Sequence, residues 1–219
     1  MKKTSLIFLL MALVFTNFAI AQDEKPQTEM RTLFGNNDKI SHGGYGALLI
    51  NYSQFDGKDV VLVGGRGGWI INHGLTLGIG GYGIANQIPF NDLYVEGKTY
   101  DKLYLSGGYG GLLVEPIIFP MRPVHISIPV LIGAGGAAYV NEAFYDNHNN
   151  NQDWNYFTIQ SSAFFVLEPG IEIEFNVVKF MRIGLGGYYR YTSGLDLEST
   201  GEHIMDGFSA GLSLKFGKF

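Results

Sequence analysis

Apolar and polar side chains alternate with a period of two over much of this chain. The clearest stretch is 165–175, where apolar residues occupy the odd positions and three glutamates lie among the even positions. Because successive side chains of a β-strand point to opposite faces, this stretch predicts a strand with one apolar and one charged face. The stretches 181–192 and 207–219 alternate in the same way, and none keeps the 3.6-residue period of a helix.

Eight segments have the length that a tilted strand needs to cross a bilayer, roughly 9–11 residues or more. They are rich in β-branched, aromatic and glycine residues, so we predict one strand from each. The predicted strands are 43–54, 58–70, 75–85, 102–114, 124–139, 158–175, 181–192 and 207–219.

The connections between these strands alternate in length. Short turns on one side and long loops on the other are typical of β-barrels of the bacterial outer membrane. The first connection, 55–57, is short but falls on the side of the long loops. The pattern predicts an all-β fold, an eight-stranded antiparallel up-and-down transmembrane β-barrel. Compact connections at 71–74, 115–123 and 176–180 alternate with long polar ones at 86–101, 141–157 and 193–206.

The size of the interior decides which strand face meets the lipid. An eight-stranded barrel is just wide enough inside for side chains, so the phenylalanines and leucines of every strand would not fit there. We therefore predict apolar faces toward lipid and charged faces toward the lumen.

Charged side chains in the lumen are expected to form ion pairs, because an unpaired buried charge is costly. Folding the sixth and seventh strands about 176–180 places Glu174 opposite Arg182 and Glu168 diagonal to Arg190. A gate or a proton path built from the same groups is the alternative. The predicted lumen ion-pair network is Arg66, Glu168, Glu172, Glu174, Arg182, Arg190 and Lys215.

Glycine is about twice as frequent as usual, with 31 among 219 residues against roughly 7% in an average protein. Clusters at 64–68, 107–111, 133–136 and 184–187 fall in the middle of predicted strands. Glycine lets strongly curved strands bend, which suits a small barrel. A ligand slot lined by glycine is the alternative.

Aromatic residues near the strand ends predict two girdles at the membrane interfaces. Trp154, Tyr156 and Phe157 follow a polar outer loop, whereas Trp69 and Phe180 lie near the opposite turns. The predicted girdle residues are Trp69, Trp154, Tyr156, Phe157, Phe180 and Phe219.

The first 21 residues have the parts of an export signal: Lys2 and Lys3, an apolar run, and small residues at the cleavage site. We expect removal of 1–21, a periplasmic lead-in at 22–41 and a barrel at 42–219. Losing the two lysines would change the formal charge from −5 to −7, which makes nucleic acid a poor partner. The absence of cysteine excludes disulfides and thiolate metal sites.

Three local motifs carry chemistry in other proteins but fit this chain poorly. Residues 78–83 match G-x-G-x-x-G, yet no helix follows to receive a pyrophosphate. The loop 146–153 offers oxygen ligands without EF-hand spacing. His125 and Ser127 share a strand face, as in some barrel enzymes that deacylate lipid A, but no asparagine follows the serine. We expect a surface-strand coincidence there, and no catalytic residue, metal or cofactor.

The chain resembles the small outer-membrane β-barrel proteins of Gram-negative bacteria, OmpA/OmpX-like in the broad sense, and the short glycine-rich barrels of Bacteroidota. The resemblance rests on the export signal, the rhythm of strands and loops, and the aromatic-rich ending 212–219, although Phe216 and Phe219 are out of phase. It implies outer-membrane lipids as surroundings, the barrel-assembly machinery as a partner of the last strand, and an extracellular partner of unknown identity.

Four functional hypotheses follow, because one barrel fold hosts many activities. The first is an integral outer-membrane barrel, not an enzyme, with a narrow or plugged lumen and a structural or surface-recognition role. The second is a channel or transporter for small or apolar solutes. The third is a lipid-modifying enzyme that uses His125 and Ser127, and the fourth is a soluble, lipocalin-like binder with its apolar face inside.

Overall fold

The computed structural model describes residues 40–146 and 152–219, and its regular structure there is entirely β. The predicted export signal and residues 22–39 of the predicted lead-in lie outside the described residues. Within the described ranges, no helix is both long and apolar enough to cross a membrane.

The described residues form ten strands where the sequence predicted eight. Every pairing between them is antiparallel. The strands are β1 (His42–Phe55), β2 (Lys58–Ile71), β3 (Leu75–Ile84), β4 (Ile88–Val95), β5 (Lys98–Ile118), β6 (Val124–Ser127), β7 (Val130–Asp146), β8 (Gln152–Val178), β9 (Met181–Ser193) and β10 (Gly207–Lys218).

The strand pairings close into a ring. From β1 they run through β2, β3, β5, β7, β8, β9 and β10, and β10 pairs again with β1. The short β6 lies between the same two neighbours as β7, and β4 continues β3 along β5. Ten strands therefore occupy eight positions around the ring.

Two interruptions explain the difference in strand count. Pro129 separates β6 from β7, because proline has no N–H to donate to a ladder; its carbonyl still accepts a hydrogen bond from the Gly170 N–H at 2.8 Å. Asn86 separates β3 from β4. Its side chain accepts from the Val61 N–H at 2.7 Å and donates to the Asp59 carbonyl at 2.9 Å, which replaces the backbone ladder with β2.

Three predicted connections are wrong in part. The predicted loop 86–101 contains β4 and the start of β5, joined by a tight turn in which Glu96 and Gly97 have φ of 51° and 79°. Such a pair of positive φ values matches the right-handed twist of a hairpin. Strands β7 and β8 extend far into the predicted loop 141–157, and β5 continues into 115–123. The hairpins thus continue beyond the length that a membrane crossing requires.

The ring has two halves of opposite polarity. The turn half ends at the short turns 72–74, 119–123 and 179–180, and it carries apolar side chains outward. Leu112 and Ile171, for example, are 68% and 60% exposed. Its inner face carries the buried charged residues described below.

The cap half lies at the other end, where β4 and the segment 194–206 fold over the ring; we call this segment the cap. Here the apolar side chains point inward and form a hydrophobic core, as they do in a protein surrounded by water. The main members of this core are Phe55, Val60, Leu62, Ile88, Phe90, Leu93, Val95, Leu103, Leu105, Tyr139, Leu195, Leu197, Ile204 and Met205.

Candidate functional site

The inner face of the ring carries four carboxylates and four lysine or arginine side chains that are buried, so these eight groups are electrically balanced. Strand alternation places them there, because each occupies the inward phase of its strand. They are Glu115 on β5, Glu168, Glu172 and Glu174 on β8, Arg66 on β2, Arg182 and Arg190 on β9, and Lys215 on β10.

Lys215 lies at the centre of the larger group of charges. Its Nζ is 2.6 Å from Glu115 Oε1 and 3.3 Å from Glu172 Oε2, and it also forms an ion pair with Glu174. The carboxylate oxygens of these three glutamates lie within 4.8 Å of one another. Three carboxylates this close together can hold a metal ion, but here the lysine ammonium contacts all three and supplies the positive charge.

Arg66 joins two of these glutamates from the opposite wall of the ring. Its Nη2 lies 2.5 Å from Glu172 Oε2 and 3.4 Å from Glu115 Oε1. Two tyrosine hydroxyls complete the group, since Tyr45 donates to Glu115 and Tyr188 donates to Glu172. These contacts connect β1, β2, β5, β8 and β9 across the lumen.

Glu174 also contacts two groups near the turns. Its Oε2 is 3.0 Å from His125 Nε2 and 3.5 Å from Arg182 Nη1. The ring of Phe219 lies over the Arg182 guanidinium at 3.9 Å and stacks with Tyr45 at 6.2 Å. The prediction of Phe219 in an outer aromatic girdle is therefore wrong, because its ring covers the inner cation instead.

A second, smaller group of charges lies closer to the cap. Arg190 Nη1 is 3.6 Å from Glu168 Oε2, and the Tyr109 hydroxyl donates to the same carboxylate at 2.6 Å. Arg190 also donates from Nη2 to Ser53 Oγ at 3.1 Å and from Nε to the Met205 carbonyl at 2.7 Å. One guanidinium therefore joins the lumen charges to the cap.

Hydrogen bonds hold the cap to the strands around it. The Asp206 carboxylate accepts from Thr192 twice, from the backbone N–H at 2.6 Å and from the hydroxyl at 2.7 Å. The Ser199 hydroxyl donates to the Tyr94 carbonyl at 2.6 Å, and the Tyr139 hydroxyl donates to Thr200 at 3.0 Å. With Leu195 and Met205 almost completely buried, the cap fills this end of the ring.

The structure brings together all seven residues of the predicted network in these two groups, and Glu174 with Arg182 and Glu168 with Arg190 lie within ion-pair distance. The predicted register of β8 and β9 is wrong by two residues, because Glu174 pairs with Gly184 and lies diagonal to Arg182. The turn consists of Lys179 and Phe180 alone, and a bulge between Asn176 and Val178 shifts the ladder.

Glu115 was missed because Pro116, Pro120 and Pro123 predicted a turn there. The available signal was its position, because Glu115 is an even number of residues from Tyr109 and Leu113. All three side chains therefore point to the same, inward face of the strand.

His125 and Ser127 are not on the outer surface, which corrects the predicted surface-strand coincidence. Both side chains point into the ring and are buried, with exposures of 2% and 0%. His125 Nδ1 and Ser127 Oγ have no hydrogen-bond partner among the described protein atoms. His125 contacts Glu174 through Nε2, so the pair belongs to the ionic interior of the ring. It does not lie on the outward apolar face.

Three residues of the predicted girdles lie on the outer surface. Trp69, Phe157 and Phe180 are 50%, 51% and 62% exposed. The Trp69 indole donates to His42 Nδ1 at 3.2 Å. The side chains of Trp154 and Tyr156 lie outside those that the structure describes.

Comparison with known proteins gives the fold. No family model matches the chain, and no curated protein matches it. Neisserial surface protein A aligns with 83% of this chain and 100% of its own at 12% identity and a TM-score of 0.50. The N-terminal β-barrel domain of Pseudomonas aeruginosa OprF (12% identity, 82% and 99% covered, TM-score 0.45) and Yersinia pestis Ail (12%, 80% and 95%, 0.38) also match.

The chain has the fold of the small outer-membrane β-barrel proteins. The resemblance predicted from its strand rhythm is thus confirmed for the fold.

Proposed function

We propose that this protein is an integral β-barrel of the bacterial outer membrane with a sealed lumen, and that it has a structural or surface-recognition role. The observation that carries the proposal is the polarity of the turn half, with apolar side chains outside and eight charges inside. Only an apolar solvent around the ring stabilises that arrangement, because water would solvate the charges and exclude the apolar faces.

The height of the apolar surface supports a bilayer crossing. On β8 the outward apolar positions run from Phe165 to Val177. Twelve residue steps span about 40 Å along the strand and about 28 Å along the axis of a barrel with strands tilted by about 45°. This matches the hydrocarbon core of a bilayer, which is about 30 Å thick.

Two layers of side chains support a sealed lumen. Ion pairs between opposite walls fill the turn half, and the apolar core and the cap fill the other half. The cap half lies outside the apolar band and exposes mostly polar side chains, so we assign it to the cell surface and the short turns to the periplasm.

The test is extraction followed by conductance. The native protein should stay with the membrane in buffer and salt, dissolve in detergent, and migrate on a gel as a compact band that shifts on boiling. Inserted into planar bilayers, it should give no single-channel current. Extraction without detergent would contradict the membrane assignment, and stable current steps would favour the channel over a sealed barrel.

A further inference from the structure

The exposed charges divide unequally between the two ends of the ring. Among the described residues, the end of the turn half exposes no carboxylate side chain, whereas Arg122, Lys179 and Lys218 are all exposed there. The cap half exposes eight carboxylates. These are Asp56, Asp59, Asp92, Glu96, Asp101, Asp196, Glu198 and Glu202.

The three cations lie on neighbouring parts of one side of the rim. The Arg122 carbonyl accepts a hydrogen bond from Asn176 Nδ2 at 2.9 Å, which joins the turn after β5 to the end of β8. Gly217, next to Lys218, donates from its N–H to the Phe180 carbonyl at 3.0 Å, which joins β10 to the turn that carries Lys179. The charges therefore follow one continuous arc.

Arg122 is held in place before any ligand arrives. Its N–H donates to the Phe119 carbonyl at 3.0 Å, and its guanidinium carbon lies 4.6 Å from the centre of the Phe119 ring. An arginine that stacks on an aromatic ring loses less side-chain entropy when it binds an anion. This side chain is thus pre-organised at the level of the membrane surface.

An outward-facing apolar strip extends from this arc toward the middle of the ring. Val124 pairs with Phe175 and Ile126 pairs with Ile173 across β6 and β8, and all four side chains are exposed by 38–48%. The strip begins directly after the turn that holds Arg122. Cations at the surface and an apolar strip beneath them match the two ends of a phospholipid.

We propose that this face is a binding site for an anionic glycerophospholipid of the periplasmic leaflet. The lipid phosphate would lie between Arg122 and Lys179, and an acyl chain would lie along the strip. Charge complementarity selects the lipid, because each cation near the surface favours an anionic lipid about fivefold. At the cap end of the ring, the exposed carboxylates repel lipid phosphates, so the same lipid is not favoured there. The inference rests on the proposed membrane insertion.

The test is a lipid competition. The full chain is inserted into nanodiscs of equimolar phosphatidylglycerol and phosphatidylcholine, and native mass spectrometry counts the lipids that stay bound after release. The wild-type protein should retain phosphatidylglycerol at least fivefold more often. The double variant Arg122→Gln with Lys179→Gln should lose most of this preference, because only Lys218 of the three cations remains, while the control pair Lys58→Gln with Lys98→Gln, in the cap half, should keep it.

Each remaining outcome would overturn the inference in a distinguishable way. An unchanged preference in the double variant, or an equal loss in the control pair, would exclude this arc as the selective site. Displacement of the lipid by inorganic phosphate would show a site for free anions and no role for the apolar strip. A wild-type chain that inserts normally but binds both lipids equally refutes only the lipid site, whereas failure to insert refutes the proposed function as well.

Discussion

Strand β5 passes through both halves of the ring, and its outward face changes polarity on the way. Near the turns, Leu112 and Val114 point outward while Glu115 points inward and is completely buried. Near the cap, Leu103 points inward and is completely buried, while the neighbouring Lys102 points outward and is exposed. The outward face of this strand is thus polar near the cap and apolar near the turns, as expected when the two ends of the ring meet different solvents.

The two halves also differ in what holds them together. The turn half relies on ion pairs and tyrosine hydrogen bonds between distant strands, all inside a low-dielectric wall. The cap half relies on apolar burial against water, at about 25 cal/mol for each Å². Variants that act on one half and leave the other intact therefore test the comparison directly.

The largest expected effect is in the turn half, from Lys215→Met. The substitution keeps the side-chain size but leaves Glu115, Glu172 and Glu174 facing one another without their shared cation. Breaking a buried ion pair from one side costs about 3–5 kcal/mol. Urea unfolding in detergent micelles, followed by tryptophan fluorescence, should show a much lower midpoint. The exposed Lys218→Met is the control, and equal midpoints for the two variants would contradict a structural role for the network.

The second effect is in the cap half, from Leu103→Ala. Leu103 is completely buried in the apolar core, and removing such a side chain costs about 2–5 kcal/mol. Because Leu103 lies in the cap half of β5, away from Glu115 and its ion pairs, the cost should appear as local opening. Limited trypsin digestion should cut faster at Lys98 and Lys102, while the gel shift on boiling stays unchanged. Loss of the compact band at room temperature would show that the halves unfold as one unit.

The third effect tests whether the two halves meet different solvents, by placing an arginine at either of two positions of β5. Leu112→Arg places a charge on the outward face of the turn half, and a charge at the bilayer midplane of a barrel costs about 2–4 kcal/mol. Thr99→Arg places the same side chain on the exposed part of β5 in the cap half, where it should cost almost nothing. Folding yields in phospholipid vesicles measure both. Similar yields would mean that Leu112 does not face hydrocarbon.

The smallest effect concerns the attachment of the cap, from Asp206→Ala. The change removes both hydrogen bonds to Thr192 and should weaken the cap by about 1–3 kcal/mol, because the Thr192 N–H loses its acceptor. Hydrogen exchange should accelerate for the amides of 195–205 and stay constant for β9 and β10 near the turns. Glu202→Ala, an exposed change in the same segment, is the control. Uniform acceleration would mean that the cap and ring open together.

The sequence predicted the inward and outward faces of the turn half well, because the alternation of apolar and charged residues is visible within each strand. The strict alternation of β8, with three glutamates against isoleucines and phenylalanines, was enough to identify both faces and the partners Arg182 and Arg190 on the next strand. The register itself was predicted wrongly, because the two-residue turn and the bulge between Asn176 and Val178 set Glu174 opposite Gly184 and not opposite Arg182.

Contacts across the lumen were beyond reach for a physical reason. Arg66 meets Glu172 over a separation of 106 residues, and Lys215 meets Glu115 over 100, because ring closure brings together strands that are not neighbours. Strand β4 was missed since Asp92, with a positive φ of 53°, breaks its alternation between Phe90 and Leu93. The buried positions of β4 resemble those of a strand in water, not those expected for a membrane crossing.

Opposite charges reach the interior from different parts of the chain. The carboxylates come from β5 and β8, whereas β2, β9 and β10 bring the cations, and the last of these, Lys215, arrives only with the final strand. A ring without β10 encloses four anions and three cations, with the uncompensated charge beside Glu115 and Glu174. Closing the ring and neutralising the charges inside it therefore happen in the same step. A ring that lacks β10 keeps an uncompensated negative charge in its interior.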